Sequence, residues 1–252
     1  MGFQFTTRPY TFENLPHSKS ELATAAELLT EQVTTTWKKG KCYTHKVAKN
    51  PTQDSDKVQV QAYYSNIDGE QWLSRVSKHT VDPDIYQKMI KYLNGSTRDS
   101  EGKWQLEDRS SRSRYEIEYI EVLNKVDIAS VKDGWVLVNL EYELGKPLST
   151  REFNEWVYPI EPYTKSNGVE QSAVISLVAD EPMRDPQNHT HAFYTSVETL
   201  QYNYDTNELT WIMCTSSDAG GNVPKWLQHA TIAKTVTKDV PFFLDWISEQ
   251  KQ

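Results

Sequence analysis

Apolar positions change period along the chain, and the changes predict its elements. From Ser18 or Ser20 as a cap, Leu22, Ala25, Ala26, Leu29 and Val33 recur at helical spacing. Glu21 suits the positive end of that helix, and Lys38, Lys39 and Lys41 suit its close. The period then drops to two. Tyr43, His45 and Val47 alternate, as do Val58, Val60, Ala62 and Tyr64, and Trp72 to His79 reads as a third strand. Asp82-Pro83 opens a short helix with Ile85, Met89, Ile90 and Leu93 inward, closed by Asn94-Gly95. Residues 96–114 are polar and serine-rich and predict a mobile surface loop. Strands follow over Tyr115–Ile128, Trp135–Leu144, Arg151–Tyr158, Ala173–Asp180, His191–Tyr204 and Leu209–Thr215.

The last stretch regains helical spacing. Gly220-Gly221 turns the chain, Asn222 and Pro224 suit a helix start, and Trp226, Leu227, Ala230, Ala233 and Val236 form an apolar stripe. Pro241 interrupts it before Phe242, Phe243, Trp246 and Ile247 resume it, so a break is expected there. Residues 1–17 carry no clear period and are expected to be an irregular lead-in to a single domain, residues 18–252. The fold class is α+β: a curved antiparallel sheet of about nine strands wrapped around a long C-terminal helix, with an N-terminal helix and a short helix after the third strand.

Composition narrows what such a chain does. It has 252 residues with 37% hydrophobic and 25% charged, and no apolar run near the ~20 residues that span a bilayer. No basic segment followed by an apolar one begins the chain, so no secretory signal is read. A net charge of −8 argues against nucleic acid as partner. Cys42 and Cys214 lie in strand patterns and are expected as buried free thiols in a reducing compartment. Aromatics reach 12%, and Trp and Tyr suit both a β-rich core and a cavity for an amphipathic ligand.

Motifs for chemistry are sparse. The chain has no Gly-x-Ser-x-Gly elbow, P-loop or Gly-x-Gly-x-x-Gly run. His189 and His191, after Asp180, Glu181 and Asp185, are read as solvated rather than metal-binding, and Glu116 and Glu118 as facing water. No catalytic residue, metal or cofactor is expected.

Two stretches carry a family resemblance. Gly145-Lys-Pro-Leu-Ser-Thr-Arg151-Glu-Phe is similar to a loop between two central strands of the START (steroidogenic acute regulatory protein-related lipid transfer) domain. Asp218-Ala-Gly-Gly-Asn-Val-Pro-Lys-Trp-Leu with Val240-Pro-Phe-Phe-Leu is similar to that family's C-terminal helix signature. The chain is most similar to a fungal START-like family labelled a domain of unknown function, over nearly all residues beyond about 18. The resemblance implies a helix-grip fold with a tunnel for one phospholipid, sterol or ceramide, gated by residues 143–150 and 220–247. It implies lipid transfer or sensing by a cytoplasmic monomer that touches membranes transiently. The alternatives are a helix-grip enzyme of cyclase or hydrolase type, and a protein-binding module with a filled cavity.

The ligand-contacting candidates are Arg151, Arg75, Tyr142, Leu144, Phe153, Trp226, Ala230, Val236, Val240 and Phe243. The gate or hinge candidates are Gly145, Pro147, Gly220, Gly221 and Pro241. For Arg151, a structural pair with Glu152 or Asp218 is favoured over lipid contact.

Overall fold

The computed structural model of the protein describes residues 2–145, 148–221 and 232–250. Nine strands run in the order β1-β2-β3-β12-β11-β9-β8-β7-β6, each antiparallel to its neighbours. They are β1 (Lys38–Lys46), β2 (Lys57–Ile67), β3 (Glu70–Thr80), β6 (Leu123–Lys132), β7 (Trp135–Tyr142), β8 (Arg151–Thr164), β9 (Glu170–Val178), β11 (Phe193–Asn203) and β12 (Glu208–Asp218). The short β10 (Thr190–His191) adds in parallel to the start of β8. A ribbon of β4 (Thr97–Arg98) and β5 (Trp104–Gln105) stands apart. The helices are α1 (Lys19–Thr35), α2 (Pro83–Leu93), α3 (Ser111–Tyr119) and α4 (Asp239–Glu249).

Strand alternation sends the two faces of this sheet to different partners. One face carries Trp72, Val76, Trp135, Trp156, Ile160, Ile175, Leu177, Val197, Ile212 and Cys214 against Leu22, Ala26, Leu29 and Val33 of α1. Ser18 caps α1, its hydroxyl accepting from the Glu21 N–H at 3.3 Å. The helix stops at Thr35, and the lysine run expected to close it begins β1 instead. Residues 2–17 include a 3-10 turn at Phe12–Asn14, and they pack on the domain. Phe5, Tyr10 and Leu15 are buried in this core, and the backbone of Tyr10 bonds with Val178 and Asp180.

The other face receives α2, α3 and α4. Tyr86, Met89, Ile90 and Leu93 of α2 meet Val240, Phe243, Leu244 and Ile247 of α4 over Val58, Val60, Leu200, Tyr202, Leu209 and Trp211. Burying so many large apolar side chains, at roughly 1.5–3 kcal/mol each, holds α4 firmly on the sheet.

Four expectations are corrected here. Residues 96–114 are not a loose loop: they form the ribbon and enter α3. The segment from Tyr115 is helical to Tyr119 before β6 begins at Leu123. Asp108 sets up that helix, accepting from the Ser110 N–H at 2.9 Å and the Ser110 hydroxyl at 2.6 Å. Cys42 is exposed on the edge strand β1, and only Cys214 is buried. The break in the C-terminal helix lies at Thr237-Lys238, between helical residues 232–236 and α4. Pro241 is the third residue of α4, where the first turn lacks intrahelical acceptors and a missing N–H is tolerated.

Candidate ligand cavity

A cavity of about 320 Å³ lies between the inner face of the sheet, α3, and the C-terminal helical segments. Its volume falls at the low end of small-ligand pockets. The sheet supplies Leu140, Tyr142, Phe153, Val174, Tyr194, Trp211 and Met213. Tyr119 comes from α3, and Ile232 and Val236 come from the turn before α4. Tyr142 and Phe153 meet edge to face with ring centres 5.2 Å apart.

Charged groups also reach this space. Arg75 of β3 is 2% exposed and gives Nη2 to Glu198 Oε1 at 2.7 Å. The same carboxylate oxygen accepts from Trp211 Nε1 at 2.8 Å, and the guanidinium lies 4.5 Å from that indole's centre. Nε and Nη1 of Arg75 have no hydrogen-bond partner among the described residues. One helical turn of α3 brings Arg112 and Glu116 together as a second pair, and Arg112 Nε also bonds the Leu93 carbonyl at 2.8 Å. Burial pushes the Glu116 carboxyl up, against the pull of Arg112. Glu155 of β8 and Asp239 of α4 line the cavity as well. Burial raises Glu155 to about 8, helped by nearby Glu116, and Asp239 to about 7, against the pull of Arg75.

Of the residues singled out from sequence, Arg75, Arg151, Tyr142, Leu144, Phe153 and Val236 line the cavity together. Val240 and Phe243 do not: they are buried in the core behind it, packed with α2 and the sheet. Trp226, Ala230 and Pro147 lie outside the described residues. Gly145 has φ +80° beside Leu144. At Gly220, with φ +63°, an added Cβ would sit 2.0 Å from the His191 carbonyl oxygen; Gly221 has the same φ. The Gly220 turn is thus packed against β10.

Arg151 does not pair with Glu152, because neighbours on a strand point to opposite faces. Its Nε donates to the Ala219 carbonyl at 3.0 Å, and its Nη1 to the Ser149 carbonyl and hydroxyl at 2.6 and 3.0 Å. Arg151 thereby ties the start of β8 to the end of β12. Glu152 faces away, fully buried. It accepts from Asn139 Nδ2 at 2.8 Å, from the backbone N–H groups of Arg184 and Asp185 at 2.6 and 3.2 Å, and lies 3.0 Å from His189 Nδ1. Burial opposes its charge, but these donors hold its pKa below the ordinary value. His189 is therefore anchored rather than solvated.

Sequence reasoning missed Arg112, Glu116, Glu155, Glu198 and Asp239. The signal for the first two was the i, i+4 spacing of Arg112 with Glu116 and of Tyr115 with Tyr119, overlooked in favour of the alternation Tyr115-Ile117-Tyr119. Outside the cavity, His79 Nε2 lies 2.9 Å from Ser77 Oγ, and its Nδ1 lies 3.3 Å from Asp54 Oδ2. This resembles a nucleophile relay in connectivity, but Ser77 is 1% exposed and none of the three lines the cavity, so a substrate has no approach. Among the described residues, no group of three His, Cys, Asp or Glu side chains is arranged to hold a metal.

A family model described as a protein of unknown function (DUF3074) matches residues 72–247. No curated protein matches the chain. Among solved structures, human StAR-related lipid transfer protein 5 is similar with a TM-score of 0.55 at 12% identity, covering 92% of this chain and 99% of that one. Human STARD10 gives 0.58 at 10% identity, covering 88% and 78%. A STAR-related lipid transfer protein fragment from Xanthomonas axonopodis gives 0.52 at 15%, covering 85% and 99%. At these identities the likeness establishes a START-like helix-grip fold.

Proposed function

The chain belongs to DUF3074, a family of proteins of unknown function, and on this premise and its START-like fold we propose that it binds one amphipathic lipid in the cavity beneath its C-terminal helix. The observation that carries this reading is the space itself. A sheet and helix that pack tightly around α4 leave about 320 Å³ open beside it, walled by aromatic and aliphatic side chains with a few charged groups. Interiors are normally close-packed, and an unfilled apolar void forfeits contact energy that a ligand restores. The solved relatives named above are described as lipid transfer proteins, which agrees with the reading.

We place the opening of the cavity beside Leu144, Leu148, Arg151 and Ala219, all of which line it. Leu144 and Leu148 are exposed apolar residues at that opening. They suit brief contact with a membrane surface while a lipid passes. The protein then acts as a carrier or sensor of lipid, as a monomer on the cytoplasmic side, and performs no chemistry on its cargo.

Filling the cavity tests this directly. Ser176→Phe places a ring into the space between Val174 and Glu155. Uptake of a fluorescent lipid from mixed liposomes is expected to fall by about tenfold, with the fold retained by circular dichroism. Undiminished uptake would place the lipid elsewhere and overturn the reading.

A further inference from the structure

The wall of the cavity holds more acid than base near α4. Arg75 is engaged by Glu198, and Arg112 by Glu116. Glu155 and Asp239 face the same space, and neither has a cation within ion-pair distance among the described residues. Glu155 is 4% exposed and interacts with the Ser176 side chain. A second observation points to a ligand on independent grounds. Among the described residues Arg75, almost wholly buried, keeps Nε and Nη1 without a hydrogen-bond partner, and an unmade bond at a buried charged group is costly. The site therefore needs a cationic donor for its surplus carboxyls and a neutral acceptor oxygen for Arg75.

Resting on the lipid-binding reading, we propose that the cavity selects a lipid whose head joins a protonated amine to a hydroxyl, as in a long-chain amino alcohol, and rejects a phosphate. The amine meets Asp239, which lies within the field of Arg75 and Glu198, and the hydroxyl oxygen accepts from Arg75. Charge-assisted bonds of this kind are roughly twice as strong as neutral ones. A phosphate would bring like charge beside Glu198 and the ionised fraction of Asp239 in a poorly solvated space. Rings of Tyr119, Tyr142, Tyr194 and Trp211 line the same space and suit a cation.

The proton balance follows. In the empty cavity Glu155 holds its proton at neutral pH and Asp239 is partly protonated. Around Asp239 stand Arg75 from β3, Tyr142 from β7, Glu198 from β11, and Glu116 and Tyr119 from α3. An incoming ammonium favours the Asp239 carboxylate, so its proton leaves to solvent as the amine binds. Affinity for the amine accordingly rises with pH through the range in which Asp239 ionises, while an aliphatic amine stays charged.

The test is calorimetric titration of the whole protein with four chain-matched probes: a 2-amino-1,3-diol, its N-acetyl derivative, the plain long-chain alcohol and the long-chain phosphate monoester. The aminodiol is expected to bind at least about tenfold more tightly than each of the others, and more tightly at about pH 8 than at about pH 6. Proton release should be visible as a heat that depends on the buffer's ionisation enthalpy. Asp239→Asn should weaken the aminodiol by about tenfold, and by clearly more than it weakens the N-acetyl probe. Equal or tighter binding of the N-acetyl, alcohol or phosphate probe overturns the amine selection and leaves lipid binding standing. Failure of every probe overturns the selection too. Lipid carriage itself falls only if the protein also takes no lipid from mixed liposomes.

Discussion

Arg112 and Glu116 sit one helical turn apart, and their pairing decides how a guanidinium is kept in an apolar wall. Neither ion is tolerable alone at that burial, because losing one partner strands the other. Arg112→Ala is therefore expected to destabilise the protein by about 3–5 kcal/mol in urea unfolding, whereas Arg114→Ala, on the exposed side of the same helix, costs less than about 1 kcal/mol. Equal costs would contradict the inward placement of Arg112.

Glu155 and Asp239 make a second residue-scale prediction. Burial lifts both carboxyls, to about 8 and about 7, so the folded protein keeps protons that the unfolded chain has released. Stability of the lipid-free protein must then fall as pH rises from about 5 to about 8, by on the order of 6 kcal/mol. Glu152, held low, acts in the opposite sense, losing its contribution only as pH falls below the ordinary carboxylate range. Urea midpoints across that range should show the fall, and Asp239→Asn should flatten it. A flat wild-type profile would mean that these carboxyls are solvated. Arg75, Tyr142 and Phe153 were legible from sequence because strand alternation assigns a face. Glu155 and Glu198 obey the same alternation, but glutamate on a strand reads by default as solvent-facing. Only a closed cavity on the inner face reverses that reading, and no local pattern announces one.

At the scale of elements, the C-terminal helix and α3 carry the differences between pattern and structure. A proline in a helical stripe reads as a break, yet the chain breaks three residues earlier and uses Pro241 within a first turn. Pro241→Ala is accordingly expected to change stability by less than about 1 kcal/mol. Gly220→Ala should cost more than about 2 kcal/mol, because a Cβ there meets the His191 carbonyl at a positive φ. Thermal unfolding of the pair checks both, and a reversed order would contradict the placement of the break. Helix α3 was illegible for a different reason. Its serine, tyrosine and isoleucine positions have weaker helix preference, and the burial of Arg112 and Tyr119 against α2 and α4 overrides it.

Across the whole molecule, the sheet was the most legible part. Strand-like runs between Gly, Pro and Asn turns marked most of the long strands, β6 having been merged with α3, and the Gly220-Gly221 stretch carried the family resemblance. The cavity was not legible, because it is the residue of packing: what the sheet, α3 and α4 leave unfilled. Its lining joins exposed Leu144 and Leu148 to charged groups, a make-up that topology alone does not supply. The central claim is that this space holds a lipid. Native mass spectrometry of the protein after incubation with mixed liposomes, followed by lipid extraction, tests it most directly. The account predicts a protein carrying one amphiphile, released on denaturation and absent from Ser176→Phe. Protein of bare mass after that exposure, with no lipid in the extract, would contradict it.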